Sequence, residues 1–188
     1  MDLKQILTPN NSVLVVWDVQ KGLVKNIFNK EEFSKALERV ITTARKSKIP
    51  IVYTKITPFP SGFEPYNSRV TERRFTFTQE DLELYVNPEV GTKGSEIVLP
   101  KNTWSIFVGT NFELLLRNSG RNVIIFSGIA TEIGVESSAR HAFALGFLPV
   151  IVRDAVSSYN KEGHQRSLEN MKDFFPVLSS EEIERLLS

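Results

Sequence analysis

Apolar residues fall along the chain in two alternating styles. Short unbroken runs, Val13 to Trp17, Ile51 to Thr54, Val123 to Phe126 and Leu148 to Val152, read as strands buried on both faces. Between them, apolar positions recur every three or four residues. Glu31 to Ser47 carries Phe33, Ala36, Leu37, Val40, Ile41 and Ala44 at that spacing and predicts an amphipathic helix. Thr110 to Asn118, closed by Gly120, predicts a second, with Phe112, Leu115 and Leu116 inward. Gly134 to Leu145, Lys161 to Phe174 and Ser180 to Leu187 predict three more, and Glu96 to Leu99 a short strand. Residues 56 to 95 break the alternation. Pro58, Pro60, Gly62, Pro65, Pro88, Gly91 and Gly94 predict a long excursion of little regular structure, with one helical turn at Gln79 to Tyr85. Strands separated by helices predict an α/β fold, a parallel sheet with helices on both faces. A chain of 188 residues suffices for one such domain with a single large core.

The run Val123 to Phe126 leads into S-G-I-A-T-E-I-G-V-E-S-S-A-R-H-A-F-A-L-G, from Ser127 to Gly146. Gly128 breaks the strand, and from Ile133 the spacing Ile133, Ser137, Arg140/His141, Ala144 is helical. In open α/β sheets ligands bind at such junctions, outside the carboxyl ends of the strands. Thr131 is the expected N-cap, and Glu132 lies in the first turn, where the helix dipole favours an acid. The first helical N–H groups are expected to face whatever occupies the junction. A purely structural junction has the same make-up.

Composition narrows the chemistry. Apolar residues are 41%, charged residues 24% and the net charge is +1, ordinary values with no field that draws the chain to nucleic acid or a membrane surface. No apolar run approaches bilayer-spanning length, and M-D-L-K-Q lacks the start of a signal peptide, so a cytoplasmic location is expected. The absence of cysteine excludes disulfides, thiolate metal sites and a cysteine nucleophile. His141 and His164, the only histidines, have no partners at metal-ligand spacing, so no metal is expected. His141, within a predicted helix, is expected to be a polar surface or interface residue.

Asp18 closes the first strand in V-V-W-D-V-Q. A carboxylate there points into the ligand crevice, and partial burial raises its pKa and suits it to proton transfer. A solvated strand-end acid fits the same residue. Lys101 follows Pro100 and precedes N-T-W-S-I-F. Placed near Asp18 it holds the carboxylate ionised and stabilises developing negative charge; placed elsewhere it is a surface cation. Arg69, Arg73 and Arg74 in the long loop fit an anion contact or a solvated face. Trp17, Phe59, Phe63, Trp104 and Phe107 fit an aromatic pocket or ordinary core packing.

Four linked segments, V-V-W-D-V-Q, P-K-N-T-W-S-I-F-V-G-T-N-F, S-G-I-A-T-E-I-G-V-E-S-S-A-R-H-A-F-A-L-G-F and V-R-D-A-V-S-S with His164 downstream, together resemble the isochorismatase-like hydrolase superfamily. The resemblance covers nearly the whole chain and implies one domain, 1–188, built as a three-layer α/β/α sandwich around a mostly parallel, six-stranded Rossmann-like sheet. It implies a small-molecule substrate, with no cofactor expected, and a homo-oligomer. Phe59, Phe63, Tyr66, Phe75 and Phe77 agree with the last, being more aromatic surface than a solvated loop needs. Most members are cysteine hydrolases that cleave amides such as nicotinamide, ureidoacrylate or N-carbamoylsarcosine, using an Asp after the first strand, a Lys, and a Cys at the helix start. The Asp and Lys correspond to Asp18 and Lys101. Ile129–Ala130 falls where the family has a non-proline cis bond. Metal-binding nicotinamidases carry an Asp-His-His cluster in the loop after the second strand, and that loop here has no histidine.

The family's T-x-x-C reads T-E-I-G, which puts Gly134 at the nucleophile position. Glycine has no side chain, so no acyl-enzyme can form there. Isochorismatases proper also carry Gly and hydrolyse a vinyl ether. A carboxylic acid protonates the enol ether, and water adds to the oxocarbenium ion. By this resemblance Asp18 is the acid, Lys101 contacts polar groups of the substrate, and Gly134 leaves room for its ring and exposes helix N–H groups. Their usual Y-A-H-I-G reads I-A-T-E-I-G here. The expected catalytic residues are Asp18, Lys101 and Gly134, and the expected substrate contacts are Gln20, Trp104, Ile129, Ala130 and Thr131. The alternative is a catalytically silent binding or structural member of the amidase branch, on the same scaffold.

Overall fold

The computed structural model describes residues 2–70, 76–90 and 96–188. Its elements are α1 (Leu3–Ile6), β1 (Ser12–Trp17), α2 (Lys21–Val24), α3 (Lys30–Lys46), β2 (Ile51–Ile56), α4 (Tyr66–Val70), β3 (Glu96–Lys101), α5 (Phe112–Ser119), β4 (Val123–Ile129), a π-helical turn (Thr131–Val135), α6 (Glu136–Ala144), β5 (Leu148–Ser157), α7 (Lys161–Lys172), β6 (Val177–Leu178) and α8 (Ser180–Leu187). The strands form one sheet in the order β3-β2-β1-β4-β5-β6. Every neighbouring pair is parallel, so the sheet is wholly rather than mostly parallel. The strand order reverses between β1 and β4, and the crevice outside their carboxyl ends is the switch point where such sheets bind ligands.

Each face of the sheet is covered, which is why β1 reads as an unbroken apolar run. Leu14 and Val16 pack on one side with Phe33 and Leu37 of α3 and Ile183 of α8. Val13, Val15 and Trp17 pack on the other with Phe112 and Leu116 of α5, Ala139 of α6 and Met171 of α7. Alternate residues of one strand therefore feed two separate cores, giving the α/β/α sandwich.

Several local expectations are corrected. Gln79 to Tyr85 is not a helical turn throughout. Residues 79–82 make a turn, after which the chain runs antiparallel to 19–22: Lys21 N–H donates to the Glu83 carbonyl at 2.9 Å and Tyr85 N–H to the Val19 carbonyl at 2.9 Å. The pull of that pairing overrides local helix propensity. The long excursion also contains α4. β5 continues past Val152 to Ser157, because Arg153 and Asp154 leave the core to pair with α8: Arg153 reaches Glu182 at 2.6 Å, and Asp154 accepts from Ser180 N–H at 2.7 Å. After β4 the chain makes one wide turn before α6, and Val135 N–H reaches back to the Ala130 carbonyl at 3.2 Å. That extra residue rotates the helix. The residues it buries include Val135, Ser138, Ala139 and Ala142.

Candidate active site

Asp18 is the first residue beyond β1, in the left-handed region at φ +46°. Asp tolerates that conformation better than most residues, and here it turns the carboxyl group back over the strand ends. Lys101 is the last residue of β3, two strands away. The two side chains meet: Lys101 Nζ lies 2.6 Å from Asp18 Oδ2. Thr54, near the end of the intervening β2, completes the set. Its hydroxyl accepts from the Asp18 N–H at 2.9 Å and donates to Asp18 Oδ1 at 2.5 Å. Thr54 did not figure among the expected site residues, although its place at the carboxyl end of a buried run is a usable signal.

Asp18 is 2% exposed and Lys101 4%. Burial is the main force on both: it pushes the Asp18 carboxyl up from its ordinary value and the Lys101 ammonium down from its own, and their mutual attraction offsets part of each shift. Lys101 Nζ also donates to the Thr103 carbonyl at 3.1 Å, and it stands over the Trp17 ring, 4.0 Å from the centroid. Carboxylate, carbonyl and indole face thus surround the ammonium.

The geometry at Gly134 differs from the expectation. A Cβ built there would lie 2.0 Å from Trp17 Nε1, 2.3 Å from Cε2 and 2.5 Å from Cζ2. Position 134 does not leave room for a substrate ring, because the indole of Trp17, 1% exposed, already fills that volume. The adjacent helix N–H groups are not free for a ligand either: those of Ile133, Gly134 and Val135 all point to the Ala130 carbonyl, at 3.3, 3.1 and 3.2 Å. The π-helical turn wraps onto that one oxygen instead of opening toward the crevice. Trp17 is thus a site residue that sequence reasoning placed only in a generic aromatic set. The available signal was a bulky ring directly before Asp18 in a chain with glycine at both 128 and 134.

The expected substrate contacts divide. The Ile129–Ala130 peptide is cis, as the resemblance implied, and both residues are buried at the end of β4. Gln20 is committed to backbone: its Oε1 accepts from Ile56 N–H at 2.8 Å and its Nε2 donates to the Leu82 carbonyl at 2.8 Å. It ties the end of β2 to the 78–86 segment rather than facing the crevice. Thr131 is not an N-cap. Its hydroxyl donates to the Ser157 carbonyl at 3.1 Å and lies 2.8 Å from His164 Nδ1, so β5 and α7 compete successfully for it. His164 is held below its ordinary pKa mainly by burial, against the pull of Glu132. Trp104 is 59% exposed, three residues beyond Lys101. The aromatic set does not form one pocket: Trp17 is core, Phe63 and Trp104 are exposed, and Phe107 packs on Phe112. His141 is half-buried, with Nδ1 2.8 Å from the Ser105 hydroxyl. Arg73, Arg74 and Phe75 lie outside the described residues, as does the side chain of Arg69.

With this geometry in view, the comparisons with known proteins agree on family. The isochorismatase domain model matches residues 12–182. The chain is 32% identical over 160 residues, 84% of its length and 83% of the relative's, to YwoC of Bacillus subtilis strain 168, an uncharacterized isochorismatase family protein. It is 37% identical over 101 residues to the ureidoacrylate amidohydrolase RutB of Pantoea ananatis, a match spanning 53% of this chain and 39% of that protein. In fold it is similar to a cysteine hydrolase from Pseudomonas syringae pv. phaseolicola 1448A, with a TM-score of 0.83, 15% identity, and 96% and 93% of the two chains covered. A domain match running from the first core strand into the last helix, on a fold of the same build, means that the chain belongs to the isochorismatase family of hydrolases.

Proposed function

We propose that this protein is a hydrolase that works without a covalent enzyme intermediate, with Asp18 as the proton donor and water as the nucleophile. The observation that carries the reading is the buried Asp18–Lys101 pair at 2.6 Å, at the carboxyl ends of the strands. Burial holds the Asp18 carboxyl above its ordinary value, as a general acid requires. When the proton leaves, the ammonium beside it stabilises the carboxylate that remains. Such a site suits a substrate activated by one proton, and a vinyl ether of the isochorismate type is the matching class. The Asp18 proton forms a new C–H bond at the terminal vinyl carbon, and the electron pair of the double bond is consumed in that bond. Water adds to the resulting oxocarbenium carbon and returns a proton to Asp18. The hemiketal C–O bond then breaks to give a carbonyl compound and an alcohol. Amide cleavage through a cysteine acyl-enzyme, the route that the family resemblance implies for most members, is closed to a chain with no cysteine.

A second reading, a silent binding protein on this scaffold, is favoured by one specific observation: Trp17 fills the volume beside Gly134 while Asp18 and Lys101 are nearly sealed from solvent. Turnover assays with isochorismate, a simple vinyl ether and a panel of amides separate the two. The expected outcome is vinyl-ether hydrolysis that falls about 10²- to 10⁴-fold in Asp18→Asn, which keeps the shape and removes the proton. Wild-type protein that turns over none of them, yet shifts its melting temperature with one, is the silent binder. Full activity in Asp18→Asn contradicts the proton-donor role.

A further inference from the structure

We infer that Trp17 is the specificity-determining residue of this site: its indole and a side chain at position 134 compete for one volume, so shortening Trp17 is the change that lets the site hold a nucleophile there. The inference concerns which chemistry the site admits and does not depend on whether the wild-type protein turns over a vinyl ether.

The geometry is direct. The position-134 Cβ would fall 2.0 to 2.5 Å from three atoms of the indole. Atoms at such distances overlap, so one partner must move. Trp17 has little freedom to do so. It is 1% exposed and sits in the core cluster that includes Ile106, Phe126 and Val135. Its backbone is pinned as well: Trp17 pairs with Gly128 across the sheet, and a Cβ at 128 would lie 2.1 Å from the Trp17 carbonyl oxygen. Gly134 is equally fixed, inside the π-helical turn with its N–H on the Ala130 carbonyl at 3.1 Å. The same indole contacts Lys101 Nζ, 4.0 Å from the ring centroid. The indole therefore touches both position 134 and the ammonium. A thiol admitted at 134 in place of the indole would enter a volume that Lys101, the one buried cation among the described residues, already faces. A neighbouring ammonium favours thiolate over thiol. Trp17 thus excludes nucleophilic chemistry and holds Lys101 at once, and Gly134→Cys alone cannot convert the site.

The test compares wild type, Gly134→Cys, Trp17→Val and the double variant. Thermal unfolding reports compatibility, and alkylation by iodoacetamide at pH 6.5 reports on the introduced thiol. Gly134→Cys alone is expected to melt well below wild type or to be insoluble. The double variant is expected to melt above Gly134→Cys, because the second change removes the overlap. Its thiol is expected to react at least about tenfold faster than that of the same protein unfolded in urea, as a lowered thiol pKa dictates. If the double variant fails to fold, the parallel cycle with Gly134→Ala decides, since an alanine Cβ suffices for the overlap. A Gly134→Cys or Gly134→Ala protein as stable as wild type with Trp17 intact overturns the inference. So does a cycle in which neither double variant exceeds its position-134 single, or a thiol in the folded double variant no faster than in the unfolded one.

Discussion

Lys101→Met is expected to lower stability by about 3–5 kcal/mol at neutral pH, a loss of roughly 6–20 °C in melting temperature for a chain of this size. The ammonium is the partner of a carboxylate that is 2% exposed, and methionine keeps most of the stem while removing the charge. The remaining Thr54 hydroxyl bond cannot carry a buried charge by itself. The pH dependence has a definite sign. Lys101 lowers the pKa of Asp18, so its removal raises the folded-state value further above the ordinary 3.8. The folded variant then binds a proton more tightly than the unfolded chain does. Its stability is greatest below pH 3.8 and falls as pH rises through the folded-state pKa. The gap between wild type and variant should therefore be narrower at pH 4 than at pH 8 in paired thermal melts. A gap that is absent, or wider at pH 4, contradicts the role assigned to the pair.

Gly128→Ala is expected to prevent accumulation of folded protein, or to lower stability by more than about 4 kcal/mol. Residue 128 has φ +114°, a conformation that L side chains rarely adopt. The added Cβ would lie 2.1 Å from the Trp17 carbonyl oxygen, 2.5 Å from its nitrogen and 2.7 Å from its carbonyl carbon. These are backbone atoms of the neighbouring central strand, with no rotamer that could give way. Gly128 also sits at the register shift between β4 and β5, so moving β4 aside would disturb both of its ladders. Soluble expression and circular dichroism read the outcome, and a variant that melts within a few degrees of wild type contradicts it.

The elements legible in the sequence were those with one dominant cause. β1 and β4 are unbroken apolar runs because both sheet faces are covered, and α3 keeps a strict helical stripe because one side alone is buried. The meeting of Asp18 with Lys101 was legible because both lie at the carboxyl ends of strands in one sheet. What escaped depends on contacts between distant segments. Gln20 and Thr131 are polar residues at strand ends, and sequence position does not tell whether such a group faces a ligand or a neighbouring backbone oxygen; both serve backbone. The π-helical turn ahead of α6 escaped because it depends on three N–H groups converging on the Ala130 carbonyl. The meeting of Trp17 with Gly134 escaped because each residue alone is unremarkable: a tryptophan in a strand and a glycine at a helix start. Only the packing joins them.

The proton-donor role requires that Asp18 be held as an acid. A carbon-detected NMR titration of its carboxyl carbon, with the resonance assigned by its loss in Asp18→Asn, measures this directly and needs no substrate. A midpoint above the ordinary aspartate value of 3.8 is expected, because burial outweighs the attraction of Lys101. A midpoint at or below 3.8 would mean that the ammonium prevails and the carboxylate stays ionised, and Asp18 could not be the proton donor.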